Sequence, residues 1–561
     1  MRNNHSGRVS RGLVMVVMLG LLTACGGGGD NGAPPPPPVA PTITIAGLAP
    51  ADVNLPYNTQ LTANGTGPFT WTLAGGTLPQ GLTLASDGVI SGTPTEVTVK
   101  VLALTVTGPG GTDTKNNLTF VVRGRTHRVS VQSDTLDQAV GGASGDAQHN
   151  GHTRSFDPGI NSTGRFVVFD SSASNLVPGQ SSNGKSQIYL HDRQTGKTEL
   201  ISVGTGGLPG DDDSVVAVVS DDGNFVAFDS WASNLVDAAT NGSADTNNSR
   251  DVFLRDRTNK TTIRLSQGVS KAEGICPVLP PDGENCNSFD PSISADGKVI
   301  AFGSLAKLEL TDTDNESDIY VLNLRGGAPI LTRVTASAGV GGGNGSPALS
   351  ADGDVLAFGS NGFDGGGVND IFLADLKTSP PTIKKVSVAP GGGEATGPSF
   401  NASINGDGTV VAFMSEATDW GSGGASQHIF VATNLSAAIP TVTRISVNGP
   451  PLFEGGDGNS DFPAISRDGR FVAFESEAAN LDPANPDTNS AQDIYLVKLG
   501  ESIQRLSLNF LGGGGIQQGN GDSIHPAISE DGSYIAYYSD ATTLVDGDSN
   551  GVRDAFVTRR Q

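Results

Sequence analysis

The four residues RVSV (128–131) have the form of an ending, yet they stand at a beginning. Related tetrapeptides recur as LISV (200–203), IRLS (263–266), TRVT (332–335), KVSV (385–388), RISV (444–447) and RLSL (505–508). Each of those six closes a longer repeated unit, whereas RVSV precedes all the units. Internal repetition outranks any local reading of secondary structure, so the units come first.

Seven segments share one template: GRFVVFDS (164–171), GNFVAFDS (223–230), GKVIAFGS (297–304), GDVLAFGS (353–360), GTVVAFMS (408–415), GRFVAFES (469–476) and GSYIAYYS (532–539). Each is followed by a second strand, such as SQIYLHD (186–192), RDVFLRD (250–256) or RDAFVTR (553–559). A shorter piece such as PSIS (291–294) or PAIS (463–466) precedes most first segments. With the RVSV-type ending, a unit holds four short strands in about 62 residues (residues 127–561 over seven units). The middle strands are apolar almost without interruption, which requires cover on both faces. Four-stranded blades stacked around an axis provide it. Aromatics hold one register on the first of these strands (Phe169, Phe228, Phe302, Phe358, Phe413, Phe474, Tyr537). A matching register on the next carries Tyr189, Phe253, Tyr320, Phe372, Phe430, Tyr495 and Phe556, so all fourteen are expected between blades. The seventh unit stops at Gln561 without a fourth strand. Pairing RVSV with RDAFVTR completes it and closes the ring, leaving no bare edge.

The S-x-D-G turn, apolar strand and D-I-Y-L strand resemble the TolB-like propeller repeats of bacterial exported proteins over residues 126–561. The resemblance implies fold and says little of activity, because propellers host many functions. Residues 42–123 alternate apolar and polar positions between turn signals, as in FTWTLAG, LTLAS and LTFVV. That is the pattern of a small antiparallel sandwich, with Trp71 as its core anchor. The stretch LPQGLTLASDGVISGTPT (78–95) resembles bacterial immunoglobulin-like or cadherin-like modules, implying a spacer or adhesion module without catalytic residues. The expected fold is therefore all-β: an immunoglobulin-like β-sandwich followed by a seven-bladed β-propeller.

Arg2, Arg8 and Arg11 precede the short apolar run LVMVVMLGLL (13–22) and then LTAC. The run is too short to span a bilayer and reads as a secretion signal over residues 1–24. LTAC resembles the lipobox of bacterial lipoproteins, which implies lipid modification of Cys25, and Gly26 after it points to the outer membrane. Residues 25–41, with GGGGDNGAPPPPP, form a flexible and then stiff tether. The expected partners are the lipid bilayer, through the acylated N-terminus, and a protein or glycan of the cell envelope. A net charge of −24 argues against nucleic acid. Cys276 and Cys286, ten residues apart in an exported chain, read as a structural disulfide.

The loop between the two middle strands repeats acids at i and i+6, with Asn or Asp at i+2 in most copies. The sets are Asp245/Asn247/Asp251, Asp312/Asp314/Asp318, Asp487/Asn489/Asp493 and Asp546/Asp548/Asn550/Asp554. Alternating oxygen-bearing side chains around a turn suit a hard cation such as calcium, though the bidentate Glu of full calcium loops is missing. The competing reading is that Asp and Asn cap hairpin turns. Units one (GQSSNGKSQ, 179–187) and five (GSGGASQH, 421–428) lack the acids. GDSNG (547–551) matches G-x-S-x-G, but no strand-to-helix turn supports a nucleophile there. HNGH (149–152) is the one close histidine pair and would need a third ligand to hold zinc. With no catalytic constellation, the leading expectation is a lipid-anchored binding or scaffold protein. The alternatives are a glycan- or peptide-active enzyme with its site in the channel, and a calcium-stiffened adhesion protein.

Overall fold

The computed structural model describes residues 36–131 and 158–560, except 181, 183, 205, 238–243, 269–277, 280–282, 285, 314, 337–343, 364–366, 422–426, 449–454, 511–515, 547, 549 and 550. Cys25, Cys276, Asp314, Asn550, the signal segment and HNGH thus lie outside the described residues. No helix occurs among those described.

Seven four-stranded antiparallel sheets follow one another along the chain. Blade two shows the pattern, with strands Ser214–Val219, Phe225–Ser230, Asp251–Asp256 and Thr261–Arg264 in spatial order. The seventh sheet is assembled from both ends of the repeat region. Strand Thr126–Arg128 pairs antiparallel with Asp554–Arg559, with Arg128 opposite Phe556, and becomes the blade's fourth strand. The expected closure is observed.

The apolar strands are buried on both sides because seven separate cores lie between successive blades. Blades one and two share Val168, Leu190, Val226 and Phe228; blades seven and one share Tyr538, Val557, Phe169 and Tyr189. In every blade the two aromatic registers meet as a stacked pair, from Phe228–Phe253 at 5.8 Å to Tyr537–Phe556 at 6.0 Å. Offset stacking of this kind adds about 0.5–1.5 kcal/mol per pair beyond area burial. The glycine of the S-x-D-G turn sets the distance between blades. Gly223 has φ +72°, and a Cβ there would lie 2.2 Å from the Phe166 ring of the preceding blade. Only glycine meets both demands.

The first, innermost strands of all seven blades line a central channel. At one end the S-x-D-G turns are laced blade to blade by backbone bonds, for example Asp221 N–H to Ala295 O (3.0 Å), Ala295 N–H to Ala351 O (2.8 Å) and Glu530 N–H to Ser162 O (2.9 Å). Asn161 Nδ2 donates to Asp221 O (2.8 Å), linking blade one to blade two with a side chain.

The sandwich pairs strands Ala51–Asp52, Gly111–Arg123, Thr98–Gly108 and Thr70–Gly75 in one sheet, and Tyr57–Gln60, Val89–Gly92 and Leu82–Leu84 in the other. Trp71 sits buried in its core with Leu104, Val106 and Phe120, as expected. The long strand ending at Arg123 leads after two residues into the strand that closes the ring. Arg123 Nη1 donates to Arg193 O (2.8 Å) and Arg559 Nη2 to Val53 O (3.1 Å), joining sandwich and propeller.

Candidate functional site

The acids singled out in the loops converge on arginines of the RVSV-type strands. Asp245 and Asp251 lie 3.1 and 3.3 Å from Arg264. Asp312 and Asp318 both lie 3.1 Å from Arg333. Asp487 and Asp493 lie 3.0 and 2.8 Å from Arg505. Asp548 and Asp554 lie 3.2 and 3.0 Å from Arg128. The cation these carboxylates face is thus a guanidinium of the chain itself. Among the described residues no three His, Cys, Asp or Glu gather as a metal-ligand set. The asparagines at i+2 serve the turn: Asn247 Oδ1 accepts from Ser249 N–H (2.9 Å), and Asn489 Oδ1 from Ala491 N–H (2.9 Å). Asp546 is exposed. Cys286 is buried and disulfide-bonded.

The hydroxyl two residues after each arginine completes the clamp. Ser130 Oγ donates to Asp554 Oδ1 (2.6 Å) and accepts from Ala555 N–H (3.1 Å). Ser266, Thr335 and Ser507 likewise donate to Asp251, Asp318 and Asp493, and Ser387 to Asp370 with Lys385 in the cation's place. Burial is the largest influence on these carboxyls and raises Asp493 and Asp554 to about 6, against the opposing pull of Arg505 and Arg128. Blade one replaces the whole set. Leu200 stands where the arginine would be, and Ser202 donates to Gln187 Oε1 (2.6 Å). Blade five keeps Arg444 but has His428 in the aspartate's position.

The channel offers a different surface at the end away from the laced turns. There the first strands carry a bulge, and its residue is left-handed without being glycine: Val216 (φ 43°), Asp290 (55°), Ser346 (51°), Asn401 (52°), Phe462 (47°) and His525 (55°). Such backbone costs of order 1–3 kcal/mol per residue and persists where its surroundings hold it. Two carboxylates do so from the preceding blade. Asp290 N–H donates to Asp229 Oδ2 (3.2 Å), and His525 N–H donates to Glu475 Oε2 (2.7 Å). Asp229 is fully buried and pushed up to about 7 by that burial, although Arg250 Nη2 donates to it at 2.5 Å. Asn401 Nδ2 donates to Asp461 Oδ1 (2.9 Å), and the Phe462 ring meets the His525 ring edge-on at 4.3 Å.

These bulges rim a cavity of about 350 Å³. Arg467 of blade six pairs with Asp221 of blade two across the axis. Arg467 also lines both this cavity and a smaller one of about 150 Å³ at the laced end, so the ion pair bars the channel. Sequence reasoning missed the rim. Its available signal was the x-P-[AS]-[IL]-S pattern at 290–294, 346–350, 462–466 and 525–529, read only as a strand.

Residues 37–123 match the family model described as "Putative Ig domain". No curated protein sequence matches the chain. Beyond the Ig domain, similarity is to solved β-propellers. A structure described as "putative TolB" from Agrobacterium tumefaciens is 17% identical, with 65% of this chain and 94% of that chain covered and a TM-score of 0.33. The β-propeller domain of the Trilobed protease from Pyrococcus furiosus is 9% identical, covering 72% and 95%, at a TM-score of 0.42. Prolyl oligopeptidase B from Galerina marginata is 11% identical, at a TM-score of 0.37, with 84% of this chain and 55% of that chain covered. The strand topology establishes an Ig-like domain followed by a β-propeller.

Proposed function

We propose that this is an exported, lipid-anchored binding protein whose recognition surface is the unbarred end of the propeller channel. One observation carries the reading: the channel is barred by Arg467–Asp221 at one end and rimmed at the other by strained bulges, two of them held by carboxylates of the preceding blade. A blind, concave site with a few fixed polar groups is the usual form of a ligand pocket. The signal-like N-terminus and the lipobox-like LTAC support export and anchoring. Asp290 and Asn401, which line the cavity, favour a ligand rich in hydrogen-bond donors, such as an amino sugar of an envelope glycan.

The experiment is titration calorimetry of the full chain in detergent with chito-oligosaccharides, muramyl peptides and, for comparison, neutral gluco-oligosaccharides. Binding of an amino-sugar ligand that Asn401→Ala and Phe462→Ala each weaken at least about tenfold supports the reading. Absence of binding across the panel, or binding untouched by both substitutions, overturns it.

A further inference from the structure

The innermost strand of each blade has a sheet neighbour on one side only, so alternate residues turn their backbone groups towards the channel. Two bonds show which residues do so. Leu349 N–H and Ile465 N–H leave their own sheets and donate to Ser292 Oγ (2.9 Å) and Ser403 Oγ (3.1 Å) of the preceding blades. In blade two the register runs unbroken from Ala217 to Val219, the counterpart of Leu349. The residue two positions earlier therefore has the same sense, with its N–H and C=O off the edge of the sheet. Five blades place proline there, Pro158, Pro291, Pro347, Pro463 and Pro526, and two place alanine, Ala217 and Ala402. All seven line the cavity of about 350 Å³. Proline removes the donor and keeps the carbonyl. At this level the wall thus presents a carbonyl from every blade but an N–H from only two.

The two alanines differ in their surroundings. Blade one packs closely on the edge of blade two, where a Cβ on Gly159 would lie 2.7 Å from Ala217 O. Ala402 of blade five follows Asn401, which lines the cavity and is fixed by its bond to Asp461 (2.9 Å). Beneath this level the floor is apolar. Ile160, Ile293, Ile465 and Ile528, from four different blades, line both this cavity and the smaller one at the laced end.

We propose that the pocket recognises the N-acyl group of an amino sugar, with the N–H of Ala402 as the donor that selects it; this rests on the channel end being the ligand site. An acetamido group carries one acceptor, one donor and a methyl. Its carbonyl accepts from Ala402 N–H, its N–H donates to a carbonyl of the facing wall, and its methyl rests on the isoleucine floor. The free amine of a de-acetylated sugar offers no carbonyl to Ala402 and no methyl to the floor. A site built to pair with a polar group discriminates against the analogue that lacks it, because its own polar group is then left unmatched. The prolines of the other blades sharpen the choice, since they leave few places where a ligand carbonyl finds a donor.

The test is calorimetric titration of the full chain in detergent with chito-oligosaccharides and with the de-acetylated oligomers of the same length. The acetylated ligand should bind at least about tenfold more tightly. Ala402→Pro installs the residue that five blades already carry at this position and deletes the one N–H in question. It should cut the preference to below about threefold. Equal binding of the two ligands by the wild type, or a preference undiminished in Ala402→Pro, overturns the inference and leaves the channel reading standing. Binding of neither ligand overturns both. Should Ala402→Pro fail to fold, amide exchange in the wild type decides. Exchange at Ala402 slowed by the acetylated oligomer and not by the de-acetylated one supports the inference, and exchange unchanged by the acetylated oligomer overturns it.

Discussion

Arg128 Nη1 lies 3.0 Å from Asp554 Oδ2, joining residues 426 positions apart in a pair that is buried on both sides. The contact is one blade's version of a clamp that recurs inside single units elsewhere. Only here does it bind the two ends of the ring. The same strand adds Thr126 Oγ1 against Thr558 Oγ1 (2.9 Å) and Ser130 against Asp554, so closure rests on polar bonds as well as on Val129 in the core.

Arg128→Ala should be severe, because it leaves Asp548 and Asp554 buried without their cation. Breaking a buried pair from one side costs about 3–5 kcal/mol. Arg165, whose side chain is 40% exposed beside Asp192 at 2.7 Å, is the comparison. Arg165→Ala should cost below about 1 kcal/mol. Denaturant midpoints of the two variants check the contrast, and equal midpoints would contradict it.

Chelation of calcium should leave the melting temperature where it is. Eight of the loop carboxylates, two each, are engaged with Arg264, Arg333, Arg505 and Arg128. Scanning calorimetry with and without a chelator decides; a clear fall on chelation would mean that metal shares these loops after all.

Acid should weaken the junction of sandwich and propeller through its histidines. His191 is buried beside Arg123 and Arg193 and, chiefly through burial, lowered to about 3; His127, which accepts from Arg193 Nε at 3.0 Å, is also driven well below its ordinary value. Unfolded imidazoles take up protons near pH 6.5 while the folded ones do not. The unfolded state then binds more protons, so stability falls as pH drops from about 6.5, by about 1.4 kcal/mol per pH unit for each histidine. Asp229, Asp493 and Asp554, raised by burial, act with the opposite sign over part of that range. The clean observable is a difference: the stability of His191→Gln relative to wild type should improve steadily between pH 6 and 4. A constant difference over that range would contradict the assignment.

Relaxing the rim should stabilise the fold. Ser346 has φ 51° at its bulge, where glycine is free of the steric cost of a side chain. Ser346→Gly should gain on the order of 1 kcal/mol, read as a higher denaturant midpoint. A loss would mean that the serine side chain contributes more than its backbone conformation costs.

Much of the architecture was legible in the chain before any coordinates. The fourteen aromatics in two registers implied blade-to-blade cores, and the misplaced RVSV implied how the ring closes; both are observed. The loop acids were legible as a pattern but not as a chemistry. Asp245 and Asp251 gave no sign of Arg264, which comes after the next strand, and Arg128 lies hundreds of residues from Asp548. One clue was present: unit one lacks both the acids and the arginine, with Leu200 in its place, although unit five lacks the acids and keeps Arg444.

Periodicity and burial are short-range properties, written residue by residue, so the order of strands, the number of blades and the need for a closing strand belong to the chain alone. Which charges meet belongs to the register between strands and to the ring as a whole. A carboxylate in a loop suits a metal ion or a guanidinium equally well, and packing decides which is brought within 3 Å. The same holds for the channel rim, where two of the left-handed bulges, at Asp290 and His525, have their amides held by carboxylates of the neighbouring blade. No window of sequence contains both partners.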